Sequence, residues 1–443
     1  MLEGDVRADV CIVGGGYTGL WTALRLKEAD RSLDVVVVEA ESCGSGASGR
    51  NGGCALSYWH HFTPLEKIGG TEEALRLSRA SADAVVEIGT FCEEHRIDAD
   101  YRRDGWLWTA TNPAQVGRWR ATVDAIGRAG AAPFVTVGED ELVRRTGSRR
   151  HLAGVFEASA ASVQPAALAR GLRRVALDRG VRIFEGSPMV ALRRTTPLRI
   201  ATTRGLVRAE RVVLAMNAWS ARIRELRNAF VIVSSDVAIT APIPERLDEL
   251  GWTDGVCVSD SRLMVHYYRS TSAGRIAFGR GGARLAYGAR VDRSLQGVSP
   301  PSDAAWLERS FRALYPHLGD VTFESTWAGP IDRPVDGLPF FATLGRPDLV
   351  CGVGFAGNGV VPCVLAGRVL SSMALGLDDE WSRCALVRDI PGGLPPEPLR
   401  TIGGRVVKRA VIRQEAAEDA GRRPSWLDTR LAALAPSGLV PLK

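Results

Sequence analysis

Three glycine-rich stretches hold the residues best suited to chemistry. Gly14, Gly16 and Gly19 form a G-x-G-x-x-G run with Tyr17 and Thr18 inside it. The first glycine permits a tight turn, the second lets the backbone approach a pyrophosphate, and the third lets a helix pack close to a strand. Glu39 lies twenty residues past Gly19. A carboxylate there suits a ribose 2′-hydroxyl and disfavours a 2′-phosphate. The second stretch, Gly44–Gly53 (GSGASGRNGG), is an extended small-residue loop. Such a backbone can run alongside a large flat ligand, whereas a plain nicotinamide domain would enter its second helix directly. The third stretch, Gly354–Val360 (GFAGNGV), precedes an apolar helix. The positive end of that helix can face the anionic edge of a reduced flavin.

These motifs need particular elements around them. Asp9–Val13 reads as a buried strand, Leu20–Glu28 as a helix and Val35–Val38 as a second strand, together a βαβ unit. Residues 63–100 read as helical, and residues 160–220 return to an α/β character. Residues 230–290 alternate as an antiparallel sheet does. In that stretch alternation puts Tyr267 and Arg269 on one face and His266 and Tyr268 on the other. Either one pair lines a pocket, or the strand carries ordinary tyrosine packing with a salt bridge for Arg269. Val350–Gly354 is another buried strand, PGGLPPEP at 391–398 a linker, and 405–434 one or two peripheral helices. The expected class is α/β (α+β). A Rossmann-type dinucleotide domain is assembled from discontinuous segments 1–62, 150–225 and 328–390. An inserted antiparallel-sheet substrate domain comprises 63–149 and 226–327, and 391–443 forms a linker and helical tail.

Composition sets limits. The 443 residues are 45% hydrophobic and 24% charged, which excludes wholesale disorder. No apolar stretch is long enough to cross a bilayer, and MLEGDVRADV does not read as a secretory signal. A cytoplasmic protein is expected. The net charge is +6, but it is spread as arginine with acids interleaved. No nucleic-acid motif stands behind it, and no membrane partner is expected. The eight cysteines form no CxxC pair, so neither a zinc site nor a disulfide framework is expected, and no metal.

The quoted residues carry a resemblance. VCIVGGGYTGL with Glu39, GASGRNGG, QPAALARGL, RVVLAMNAW, YYR at 267–269, WAGPIDRPVDGLP and GVGFAGNGV occur in one order between about residues 9 and 375. In that order they resemble the D-amino-acid-oxidase-like flavoproteins. The branch is that of gamma-glutamylputrescine oxidoreductase and the sarcosine-oxidase-like amine oxidases. The resemblance implies a glutathione-reductase-like FAD domain and non-covalent FAD. It places the adenosine on Gly14, Gly16, Tyr17, Thr18, Gly19, Glu39 and Ala40, with Val190 nearby. It places the isoalloxazine between the loop Arg50, Asn51, Gly52 and Gly53 on one side and Gly357, Asn358, Gly359 and Val360 on the other, with Ala47 and Ser48 as further cofactor-binding residues. It implies oxidation of a C–N bond, with a small-molecule amine as substrate and O₂ or an electron carrier as acceptor. Candidate catalytic residues are Tyr267, Arg269, His266, Trp327 and Asp332. A homodimer is a further expectation. Alternatives are a biosynthetic flavin enzyme of the same fold performing another oxidation, and a nucleotide-binding scaffold without catalysis.

Three departures qualify the resemblance. Relatives acting on amino acids hold the substrate carboxylate with an arginine just after Trp-Ala-Gly. Here Trp327-Ala328-Gly329 runs on to Asp332-Arg333, so an amine, or an amine bearing its acid group elsewhere, is favoured over a simple α-amino acid, with Asp332 or Asp336 as partner of a cationic amine or as a turn residue. Relatives that activate O₂ use a lysine, yet none occurs between Lys67 and Lys408. Arg50, His266 and Arg269 are then the candidate cations. No clear cysteine or histidine tether for the flavin is evident, and His60–His61 are expected on a surface turn.

Overall fold

Two large sheets and a two-stranded one, Cys54–Ala55 with Ala161–Ser162, are formed by the described residues. The computed structural model describes residues 1–436 apart from 283, 289, 293 and 294. The first sheet has eight strands, with Phe340–Thr343, Leu349–Val353, Gly205–Leu214, Gly4–Val13, Val35–Val38 and Arg182–Phe184 adjacent in that order. Gly4–Val13 is parallel to both its neighbours, as is Val35–Val38, and Phe340–Thr343 pairs antiparallel at one end. A strand buried on both faces reads as an unbroken apolar run, which Val35-Val36-Val37-Val38 supplies. Helix Tyr17–Ala29 covers one face and packs on Pro362–Leu375. The approach is close because Gly367 is there: a Cβ on it would stand 2.9 Å from the Trp21 main chain.

The second sheet has nine strands in the order Gly297–Val298, Phe323–Arg333, Val231–Thr240, Ile276–Arg280, His266–Ser270, Cys257–Asp260, Trp106–Ala110, Ala153–Glu157 and Phe134–Val137. It departs from the sequence reading twice. The junction between Cys257–Asp260 and Trp106–Ala110 is parallel, so the sheet is not purely antiparallel. Ala153–Glu157 pairs with Trp106–Ala110, so the segment beginning at 150 contributes its first strand to this sheet and not to the dinucleotide sheet. Strand Phe323–Arg333 likewise crosses the expected boundary at 328.

The tail is an integral part of the substrate sheet's cover. Helix Leu399–Asp419 lies against residues 260–264: Glu415 accepts the Met264 N–H at 2.8 Å and Asp419 pairs with Arg262 at 2.7 Å. Glu418 pairs with Arg118 at 2.7 Å. No helix among the described residues is long and apolar enough to cross a membrane.

Candidate active site

One cavity runs between the two sheets and holds about 1960 Å³ of space, its open mouth included. Its nucleotide end is built by the first strand, turn and helix. Gly14 has φ +113°, and a Cβ there would meet the Ala215 carbonyl oxygen at 2.3 Å. Gly14, Gly16, Tyr17 and Thr18 line the cavity. Gly19 does not; a Cβ on it would lie 1.9 Å from the Gly14 carbonyl oxygen, so its part is the close helix–strand approach. The helix begins at Tyr17, and its first N–H groups have no intrahelical acceptor. Tyr17 N–H is met by Ser48 Oγ at 2.9 Å. Glu39 and Ala40 line the wall beyond the second strand. Glu39 accepts N–H groups of Gly15 at 2.7 Å and Glu41 at 3.0 Å, and burial pushes its carboxyl up. Val190 is corrected: it is 61% exposed and outside the lining, whereas its neighbours Pro188 and Met189 face the cavity.

The middle of the cavity is formed by the two other glycine stretches. Ala47, Ser48, Arg50, Asn51 and Gly52 line one side, and Gly357, Asn358, Gly359 and Val360 the other. Gly53 lies outside the lining; it has φ +80°, and a Cβ there would stand 2.1 Å from the Val163 carbonyl oxygen. The loop is held from behind. Arg269 donates to the carbonyls of Gly52 at 2.9 Å, Val163 at 2.6 Å and Ser270 at 3.1 Å. Trp327 Nε1 donates to the Arg50 carbonyl at 2.8 Å. Neither residue lines the cavity, so both fix the loop and do not face a substrate.

Asp332 is also corrected. It is fully buried outside the lining, where its carboxylate accepts the Gly354 N–H at 2.5 Å and Asn217 Nδ2 at 3.1 Å. It pins the Gly354–Gly357 turn, and burial pushes its carboxyl up to about 7. Gly329, Pro330, Ile331 and Arg333 of the same strand line the cavity instead. Asp336 pairs with Arg388.

At the substrate end Tyr267 is the candidate catalytic residue that lines the cavity. Its hydroxyl is 2.7 Å from Ser235 Oγ, and Ser235 Oγ donates to the Arg280 carbonyl at 2.9 Å. A carbonyl cannot donate, so the serine proton points to it and the tyrosine proton points to the serine. Tyr267 therefore offers the cavity an oxygen lone pair. His266 faces the other way, with Nδ1 3.0 Å from Asp260 Oδ2 and its ring stacked on Phe278. Burial lowers its pKa, which removes it, as the loop bonds remove Arg269, from the candidate cations. Arg50 lines the cavity, as does Arg333.

His60 and His61 are buried rather than on a surface turn, their rings edge to face at 4.3 Å. His60 Nε2 meets Asn358 Nδ2 at 3.1 Å, leaving the buried Asn358 Oδ1 without a partner at the cavity wall. Sequence reasoning missed Ser235, Gln296, Cys54 and Cys363 as lining residues. All eight cysteines are free, and among the described residues no cluster could hold a metal ion.

The residues fit a flavin dinucleotide. Two strand–glycine–helix turns, a carboxylate beyond the second strand and an unpaired amide oxygen share one elongated cavity. The family described as DAO, FAD dependent oxidoreductase, matches residues 9–373. Gamma-glutamylputrescine oxidoreductase of Escherichia coli (strain K12) is 30% identical over 410 residues, 92% of this chain and 91% of that protein. Probable oxidoreductase OrdL of Rhizobium meliloti (strain 1021) is 30% identical over 389 residues, 86% of each. Among solved structures, glycine oxidase from Geobacillus kaustophilus superposes with a TM-score of 0.70 at 22% identity, over 84% of this chain and 96% of that one. L-proline dehydrogenase from P. horikoshii gives 0.69 at 18% identity, over 85% and 96%. At those identities the two structures establish the fold. The chain belongs to the FAD dependent oxidoreductase (DAO) family, an enzyme family, and FAD is its cofactor.

Proposed function

We propose that this enzyme oxidises the C–N bond of a primary or secondary amine to an imine, which water converts to an aldehyde or ketone and a released amine or ammonia. The carrying observation is the Tyr267 hydroxyl, held with its proton turned away from the cavity that the nucleotide turns also line. The relative named for gamma-glutamylputrescine supports an amine as substrate.

FAD, when bound, would supply the two-electron acceptor for the hydride, or its equivalent, lost from the carbon next to nitrogen. The chain does the rest. Gly14–Tyr17 and Glu39 would hold the dinucleotide half, and Arg50–Gly52 and Gly357–Val360, which line the middle of the cavity, would hold the ring. Tyr267 accepts an N–H of the amine and so orients it. An amine reacts through its neutral form. The lining acids, Glu39 and Glu41, sit with the nucleotide turn, while Arg50 and Arg333 are the cations toward the substrate sheet. Positive charge without a carboxylate lowers the pKa of a bound amine and favours that neutral form. Leu56, Val265 and Ile331 give that end apolar walls that exclude water. Proton loss precedes binding, so no side chain is assigned as general base. The acceptor that reoxidises the cofactor is O₂ or an electron carrier, with arginine and not lysine as the nearby positive charge. Of the two cysteines lining the cavity, burial pushes the Cys363 thiol up to about 12, which keeps it a poor nucleophile, whereas the hydrogen bond to Cys257 lowers the Cys54 thiol; FAD held without a covalent link is the proposed state, with Cys54 the residue to check.

The test is product analysis. Holoprotein incubated with primary and secondary amines should yield carbonyl product and released amine in equal amounts, with peroxide if O₂ is the acceptor. Flavin-loaded protein that forms no carbonyl product from any amine would reject the reading. Acid precipitation should release the FAD; flavin retained in the pellet would point to Cys54, the other cysteine lining the cavity.

A further inference from the structure

Two of the eight free cysteines meet at the cavity wall. Cys54 follows the glycine loop directly and lines the cavity, half-buried. It belongs to the short ladder in which Cys54 faces Ser162 and Ala55 faces Ala161. Cys257 opens a strand of the substrate sheet and is fully buried. Its thiol reaches that same ladder, donating to the Ala161 carbonyl at 3.5 Å, and it hydrogen-bonds the Cys54 thiol.

The surroundings of the two sulfurs differ. The bond from Cys257 and the nearby Arg269 guanidinium both favour a thiolate at Cys54. Arg269 is fixed there by the carbonyls of Gly52 at 2.9 Å and Val163 at 2.6 Å. A Cβ on Gly53, the residue before Cys54, would meet its Nη2 at 2.6 Å. Burial pushes the Cys257 thiol the other way, so it keeps its proton. A partly exposed cysteine beside a cation is of the reactive kind, and a buried one is not. The amine chemistry proposed above uses neither sulfur.

We propose that Cys54 and Cys257 form a peroxide-sensitive dithiol, with Cys54 the attacking sulfur and Cys257 the resolving one. Hydrogen peroxide is the oxidant. The Cys54 thiolate attacks one peroxide oxygen and the O–O bond breaks. Cys54 becomes a sulfenic acid, and the hydroxide set free takes up the proton that the thiol had released. The Cys257 sulfur then attacks the Cys54 sulfur and the S–O bond breaks. The hydroxyl leaves with the Cys257 proton as a second water. Two thiols give up two electrons and two protons, and one peroxide becomes two waters. The finished bond brings the sulfurs to about 2.05 Å. It ties the chain next to Gly53 to the strand Cys257–Asp260, so the Gly52 side of the cavity shifts with it. Where O₂ is the acceptor, peroxide arises in this same cavity and the pair answers to the enzyme's own product. The dithiol itself does not depend on amine oxidation.

The experiment treats the FAD-loaded full chain with hydrogen peroxide, then counts thiols after unfolding and maps the peptides. The wild type should lose two of its eight thiols, with Cys54 and Cys257 in one linked pair of peptides, and dithiothreitol should restore them. Its visible flavin bands should shift on oxidation and return on reduction, whereas those of Cys54→Ser should stay in place. Cys257→Ser should stop at a Cys54 sulfenic acid, which dimedone traps. Peroxide that leaves both thiols free, or links Cys54 to another cysteine, overturns the proposal. Dimedone trapping of Cys54 in the wild type without a linked pair overturns the resolving role of Cys257. Flavin carried on the Cys54 peptide before any peroxide overturns it too, because that sulfur would then hold the cofactor. The wild-type map decides the matter even where a variant fails to fold.

Discussion

The tyrosine hydroxyl decides most at the residue scale. Tyr267→Phe removes the acceptor for the amine N–H and leaves the nucleotide motifs intact. The expected loss is about tenfold in the rate of flavin reduction, the equivalent of about 1.4 kcal/mol for one hydrogen bond, with unchanged FAD content. Ser235→Ala frees the tyrosine proton to swing into the cavity and should cost a similar factor by raising KM; stopped-flow reduction checks both. A Tyr267→Phe variant as fast as wild type would remove the hydroxyl from the mechanism. Alternation in HYYR separated Tyr267 and Arg269 from His266 and Tyr268 but did not choose which pair faces the cavity, where Tyr267 stands. It did not reveal that Arg269, on the same face, ends on the carbonyls of Gly52 and Val163, because those acceptors lie more than a hundred residues away. Asp332 and Arg333 were exchanged for a related reason. Parity along Phe323–Arg333 separates them, but which parity faces the cavity depends on pairing with Val231–Thr240. Ser235 was invisible for the same reason: its role comes from a cross-strand meeting with Tyr267 and Arg280.

Elements carry the second level of the argument. The strand–turn–helix at Asp9–Glu28 was legible because its apolar period changes from strand to helix across a glycine turn. Gly19 tests it. A methyl there would lie 1.9 Å from the Gly14 carbonyl oxygen, which is backbone and cannot rotate away. Gly19→Ala should lift the helix from the strand, cost about 1–3 kcal/mol or more in stability and strip most of the FAD. Gly127→Ala is the control. It sits in helix Arg120–Arg128 with nothing within 4 Å of the added methyl, and should gain up to about 1 kcal/mol with FAD unchanged. Equal FAD content in the two variants would contradict the account. The strand Ala153–Glu157 was assigned to the wrong sheet because nothing local distinguishes its partner. Its place follows from Trp106–Ala110, itself joined in parallel to Cys257–Asp260 across the chain. The tail helix was legible as a helix but not as a cover, because its anchors at Arg118, Arg262 and Met264 lie far away in sequence.

At the scale of the whole molecule, two buried carboxyls tie pH to stability. Asp332 pins the cofactor turn and Glu415 the tail helix, and burial pushes each up to about 7. Unfolded carboxyls titrate near about 4. Between about pH 4 and 7 the folded protein keeps protons that the unfolded chain has released, so these two groups make stability fall as pH rises through that window. Carboxylates held low by arginine, such as Glu141 at about 2, act with the opposite sign but only below that range. Urea midpoints measured from pH 5 to 8 should decline, and Asp332→Asn with Glu415→Gln should flatten the curve; an unchanged slope in the double variant would refute the assignment. The FAD-binding fold class was readable from the order of motifs, whereas the side chains lining the cavity were set by contacts between distant segments. The most direct measurement of the central claim is therefore on the assembled cleft: anaerobic titration of the FAD-loaded protein with amines, followed in the visible spectrum. C–N oxidation predicts stoichiometric bleaching of the oxidised flavin bands by a primary or secondary amine of the panel, with the colour returning when an acceptor is admitted. A fully loaded flavin that keeps its bands through the whole amine panel would contradict it.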